Sequence, residues 1–191
     1  MSLPMGPIQR ITLHWTAGNY TTNFDDYHFC IKADGSCVKT RPLSEEGAHT
    51  WMRNSGNIGL AFDGEEDAHP VADGHGGEKP AGSPFPITPH QIETMAKAVA
   101  ELCVTHDLAL HGVVKLPHYQ REGAGTDDDR LVPTGGSIMA PTVTDHRWYA
   151  VQDQYEADRW DIADLLPVVM EKAAWYLAQL RCGAQHIEHT A

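Results

Sequence analysis

Three short stretches carry residue types able to do chemistry. "ITLHWTAG", Ile11 to Gly18, sets His14 near the end of an apolar, β-branched run that breaks at Thr-Ala-Gly. "VTDHRWYAVQDQY", Val143 to Tyr155, sets His146 in a polar context, and "ADRWDI", Ala157 to Ile162, adds Arg159 and Asp161. Two imidazoles and a carboxylate are the donors a catalytic zinc uses, with one further position left for water. Spacing by itself does not establish such a set. His14 lies far from the other two, and twelve histidines make accidental triplets easy to draw. A single histidine on an apolar strand is, as a rule, a hydrogen-bonded core residue.

The elements that must position these residues follow from pattern and turn chemistry. "DYHFCIKADGSCVKTRPL" alternates and turns at "ADGS", as a β-hairpin does. "NIGLAF", Asn57 to Phe62, reads as a buried strand, and "LALHGVV" as another. A helix starts at Thr88, where Pro89 suits the first turn and Gln91 completes a capping box. Ile92, Met95, Ala96, Val99, Leu102 and Cys103 then recur at helical spacing. A last helix spans about 165–181, with apolar positions Val168, Val169, Met170, Ala173, Leu177 and Leu180. Gly183 is placed to end it, leaving 183–191 as a frayed tail. Two stretches lack periodicity and read as long surface loops: about 64–86, rich in Gly, Pro and acidic residues, and about 115–141. The acidic triplet Asp127 to Asp129 in the second reads as a solvated loop. Strands mixed with helices, without an internal repeat, give an α/β fold with a central mixed β-sheet flanked by helices. The expectation is one domain over residues 1–191, its core at about 8–182.

Composition narrows the function classes. A length of 191 residues with 41% hydrophobic content and five Trp describes a globular chain with a sizeable core. The formal net charge of −12 opposes binding to nucleic acid or anionic membranes, and no Lys/Arg cluster offsets it. No apolar run approaches the roughly 20 residues of a membrane span. "MSLPMGPIQR" lacks the pattern of a secretory signal, so the expectation is synthesis in a cytoplasm, with any outside action following release or delivery. The four cysteines read as thiols, with no CxxC pair to form a structural zinc site.

Taken in order, "ITLHWTAG", "YHFCIKADGSCVKTRP", "GAH", "NSGNIGLAFDG", "TDHRWY" and "RWD" resemble the zinc-dependent N-acetylmuramoyl-L-alanine amidases of the type-2 family. That family includes phage endolysin amidases and shares its fold with peptidoglycan recognition proteins. The resemblance covers about residues 10–162 and is interrupted by the two loops. It implies His14, His146 and Asp161 as zinc ligands, with His118 in "LPHYQ" the competitor for the place of His146. It implies Tyr27 near the metal and Arg159 where relatives carry a basic residue. His49, in "EGAHTW", matches a family block and is expected to line the substrate cleft, whereas His28 is expected to pack on the far side of its strand. One departure is visible: Ala61 stands in "NIGLAF" where relatives that cleave cell-wall turnover products carry Glu. That argues against the turnover subgroup more than against activity.

What the resemblance implies is zinc-dependent hydrolysis of the amide between N-acetylmuramic acid and L-alanine in peptidoglycan, as in a phage or prophage-type lysin. The partner is then the glycan strand with its stem peptide, held in an open groove whose walls come from the two loops. A non-catalytic peptidoglycan-binding protein of the same fold, or a metal amidase acting on another amide, would carry much of the same pattern.

Overall fold

The computed structural model describes residues 3–65, 69–72, 78–81, 84–123, 130–154, 162 and 164–188. In chain order the elements are β1 (Arg10–Trp15), β2 (Phe29–Ile31), β3 (Cys37–Lys39), β4 (Asn57–Phe62), β5 (His69–Ala72), β6 (Glu78–Ala81), α1 (Pro89–Thr105), β7 (Val113–Glu122), β8 (Arg130–Pro141), β9 (Val143–Asp145), α2 (His146–Asp153) and α3 (Leu166–Glu188). A five-stranded sheet runs in the order β3-β2-β4-β1-β9. It is mixed: β1 is parallel to β4 and β9, β2 is parallel to β4, and β2 is antiparallel to β3. The fold is thus the expected mixed α/β arrangement.

Every residue of β1 and β4 is buried, so the sheet is covered on both faces. The two faces differ in chemistry. Ile11, Leu13, Trp15, Ile58, Leu60 and Phe62 point one way, into a core shared with Met95, Val99 and Leu102 of α1 and Val169, Ala173 and Leu177 of α3. Burial of each such large side chain contributes about 1.5–3 kcal/mol. The alternate positions, Arg10, Thr12, His14 and Asn57, face the other way and are also buried, so they need partners. Thr12 Oγ1 donates to Asn57 Oδ1 at 2.9 Å, and Arg10 Nη2 donates to the carbonyls of Arg53 and Ser55. This polar face carries the candidate site.

The turn and cap signals read from the sequence are realised. Gly35 adopts φ 85° at the tip of the β2–β3 hairpin, where Ser36 N donates to Asp34 Oδ1. Thr88 and Gln91 form the reciprocal capping box of α1. The Gln91 amide also donates to the carbonyls of Ile31 and Asp63, tying the helix start to the ends of β2 and β4. All four cysteines are thiols, Cys30 and Cys103 buried, Cys37 and Cys182 exposed.

Four expectations need correction. The stretch 115–141 is not irregular: β7 and β8 form a long antiparallel hairpin, with a register shift between Pro117 and Tyr119. Much of it is exposed and so lacks the apolar alternation that marks a half-buried strand. "LALHGVV" contains a turn, and β7 begins only at Val113. Within the stretch 64–86, β5 and β6 pair antiparallel. Finally, α3 continues through Gly183 to Glu188, since an interior glycine costs about 1 kcal/mol and stops a helix only when a left-handed cap follows. Val168 and Leu180 on this helix are exposed, while Val169, Ala173 and Leu177 face the core. Asp127 to Asp129 lie outside the described residues.

Candidate metal and catalytic centre

The site grows from the register of two adjacent parallel strands. Leu13 of β1 is level with Asp145 of β9, so the next residue on each chain, His14 and His146, emerges at the same carboxyl edge. Open sheets with parallel strands bind ligands at that edge. Asp145 ends β9 and caps α2, its Oδ1 accepting from Trp148 N at 2.7 Å, so His146 becomes the first residue of a helix. The imidazoles of His14 and His146 lie edge to face with centroids 5.0 Å apart. His14 is fully buried and His146 is 8% exposed.

Around His14 stand two more rings. The Tyr27 ring centroid is 5.1 Å away, its hydroxyl donating to the Trp15 carbonyl at 3.3 Å. The His49 centroid is 5.0 Å away on an edge-on ring. His49 is 6% exposed and sits behind His14, not on an open wall. Its Nδ1 is 3.0 Å from His14 Nε2, and its Nε2 is 3.2 Å from the Asn57 carbonyl. The Thr50 hydroxyl lies 3.0 Å from His49 Nδ1 and 3.5 Å from His14 Nε2. Burial first, then the neighbouring imidazoles of His14 and His28, push the His49 pKa well below the ordinary histidine range, so the ring is neutral.

His28 does not pack away from this group. Its ring is 5.8 Å from His49, because Tyr27 and His28 precede β2 and strand alternation does not govern them. It is nonetheless a satisfied core residue: Nδ1 accepts from Gly59 N at 3.0 Å and Nε2 donates to the Glu45 carbonyl at 2.9 Å. His118 is elsewhere, half-buried on β7 beside Thr134 and Gln152. It is His146, not His118, that the strand register brings to His14.

A shallow cleft beside His146 is lined by Thr50, Trp51, Leu131, Tyr149 and Asp153 among others. Trp51 is 60% exposed there, and Leu131 comes from β8, so the hairpin forms part of one wall. The hairpin is fastened by Arg53, whose guanidinium grips Asp153 at 2.6–3.1 Å, donates to the Pro117 carbonyl, and lies 4.7 Å over Tyr119 and 5.7 Å from the Tyr149 ring.

Arg159 and Asp161 lie outside the described residues. Among the described residues no group of three or more His, Cys, Asp or Glu side chains is placed to hold a metal. The donor chemistry still fits a zinc ion as far as the described residues go: two closely apposed imidazoles supply two of three nitrogen or oxygen donors. Thr50 and Asn57, which the sequence reading did not single out, hold His49 in place. The only signal for Asn57 was a polar residue opening an otherwise apolar strand.

Residues 4–131, about two thirds of the chain, match a family described as N-acetylmuramoyl-L-alanine amidase (Amidase_2). The matched span holds His14, Tyr27 and His49 and ends before His146. Among solved structures, the N-acetylmuramoyl-L-alanine amidase LysC from Clostridium intestinale URNW is 21% identical, with 54% of this chain and 67% of that one covered and a TM-score of 0.42. The endolysin of Thermus scotoductus MAT2119 bacteriophage Ph2119 is 17% identical, covering 56% of this chain and 73% of that one, with a TM-score of 0.43. The catalytic domain of XlyA is 14% identical, covering 90% and 89%, with a TM-score of 0.48. No curated protein sequence matches the chain.

Proposed function

Because the chain belongs to the N-acetylmuramoyl-L-alanine amidase family, we propose that it hydrolyses the amide between N-acetylmuramic acid and L-alanine of peptidoglycan, with zinc as cofactor, in the manner of a phage or prophage-type lysin. The observation that carries this reading is the meeting of His14, His146 and Tyr27 at one edge of adjacent parallel strands, with ring centroids about 5 Å from that of His14. His14, His146 and Asp161 are the proposed ligands. A zinc ion there would polarise the scissile carbonyl and lower the pKa of a water towards about 7.

The chain's own groups do the rest in this reading. Hydrolysis places negative charge on the former carbonyl oxygen, and Arg159, cationic at any working pH, is suited to stabilise it and unsuited to act as a base. The Tyr27 hydroxyl, whose proton goes to the Trp15 carbonyl in the resting structure, would leave that acceptor to donate to the developing oxyanion, or would accept from the attacking water and so orient it. The exposed Trp51 ring beside the small depression at His146 offers the polymer a contact surface next to the centre. Ala61, level with His14 on β4, provides no carboxylate at that position.

The test is digestion of purified peptidoglycan with and without a zinc chelator. Chelator-sensitive release of L-alanine amino groups, without new reducing sugar ends, is expected, and Asp161→Ala should reduce it by at least a hundredfold. Zinc-loaded protein that binds sacculi and releases no amine would instead make the chain a non-catalytic peptidoglycan binder. Release of amines other than L-alanine would mean a different amide substrate.

A further inference from the structure

The hydrogen-bond chain behind His14 dictates which of its nitrogens carries the proton. A carbonyl oxygen only accepts, so His49 Nε2, 3.2 Å from the Asn57 carbonyl, must bear hydrogen. In a neutral ring Nδ1 then has none and can only accept. His14 Nε2, 3.0 Å from that Nδ1, must therefore be the donor. The Thr50 hydroxyl, within reach of both nitrogens, can donate or accept at either and is compatible with this assignment without deciding it. Neutral His14 is left with its lone pair on Nδ1.

The backbone is shaped to hold this ring. A Cβ at Gly59 would lie 2.6–2.8 Å from His49 Cδ2, Cγ and Nε2, and one at Gly47 would lie 2.5 Å from His49 Cδ2. Neither position admits a side chain while His49 stays where it is. The segment on the other side is fixed too, with Asn54 Oδ1 accepting from the backbone N–H of both His49 and Thr50. The imidazole therefore sits in a rigid slot between glycines, anchored at one end to β4 and touching His14 at the other.

We propose that His49 is a positioning residue: it fixes His14 as the Nε2–H tautomer and so presents the Nδ1 lone pair as a metal donor, without itself touching metal or substrate. This rests on the zinc reading for its purpose, but the tautomer stands or falls without metal. Hydrogen bonds of this kind to a ligand's second nitrogen orient the ring and are worth about tenfold to a hundredfold in metal affinity.

Two variants separate the role from simple packing. In His49→Asn the amide oxygen takes the place of Nδ1 and can still accept from His14. In His49→Gln the amide reaches instead to the Nε2 position and keeps the Asn57 contact while losing the acceptor. Nitrogen-15 NMR of metal-depleted protein, with the His14 signals identified by their loss in His14→Gln, should show Nε2–H in wild type and His49→Asn, and a mixed population in His49→Gln. Zinc affinity, measured by competition with a chromophoric chelator, should fall about tenfold to a hundredfold in His49→Gln and only a few-fold in His49→Asn. An Nδ1–H tautomer in wild type overturns the proposal, even if neither variant folds. So does an unchanged tautomer and zinc affinity in folded His49→Gln. Wild type with the Nε2–H tautomer and no zinc uptake would support the positioning and refute the zinc reading.

Discussion

At the scale of single residues, the burial of His28 beside the polar face of the sheet ties stability to pH. Burial holds the His28 pKa below its ordinary value of 6.5, against a smaller opposing effect of the Glu45 carbonyl, while Arg41 and Lys39 lower it further. The folded protein therefore binds fewer protons at His28 than the unfolded chain does. Stability from this residue is complete above about pH 6.5 and is lost as the pH falls below it. Urea midpoints of wild type and His28→Gln should accordingly converge as the pH is lowered from 7.5 to 5. A gap that widens on acidification would show that His28 is charged in the fold. His14 and Tyr27 could be singled out from type and position. His49 could be singled out too, but its partner could not, because the approach of residue 49 to residue 14 depends on a chain reversal that no local pattern encodes.

At the scale of elements, the notable feature is the β7–β8 hairpin and its fastening. Arg53 and Asp153 are both buried, and the pair joins the segment before β4 to the end of α2 beneath the hairpin. Removing one partner strands a charge in a dry environment. Asp153→Asn is expected to destabilise the fold by about 3–5 kcal/mol, whereas the double replacement Arg53→Met with Asp153→Leu should recover most of that loss. Equilibrium unfolding of the two single variants and the double variant checks this. A double variant as unstable as the sum of the singles would mean that the guanidinium matters for its contacts to Pro117 and Tyr119 rather than for the ion pair. The sequence concealed this element because its strands face solvent over much of their length. The start of helix α1, by contrast, was legible to the residue, since its cap, proline and apolar spacing all point the same way.

For the whole molecule, charge is the property that bears most directly on function. With a net charge of −12, long-range attraction to an anionic cell wall is absent, and contact must come from local groups around the cleft. Binding to isolated sacculi is therefore expected to hold or strengthen as salt is raised from about 50 to 200 mM, because added ions screen like-charge repulsion. A sedimentation assay reads this directly. Steep weakening by salt would point instead to a cationic patch engaging the wall. Two helices occupy one face of the sheet and the candidate centre the other, so stability and chemistry are served by opposite faces of the same strands.

Local chemistry determined β1, β4, the β2–β3 hairpin and the capped start of α1, because hydrophobic period, turn residues and caps act over a few neighbouring positions. It also determined which residue types were available for metal and acid–base work. The tertiary structure decided which of twelve histidines meet. That choice follows from the parallel register of β1 with β9, from Asp145 turning the chain into α2 at His146, and from glycines at 47 and 59 that leave room for the His49 ring. The β1–β9 pairing joins residues more than a hundred positions apart, the meeting of His14 with His49 joins residues 35 apart, and no periodicity within a strand records either.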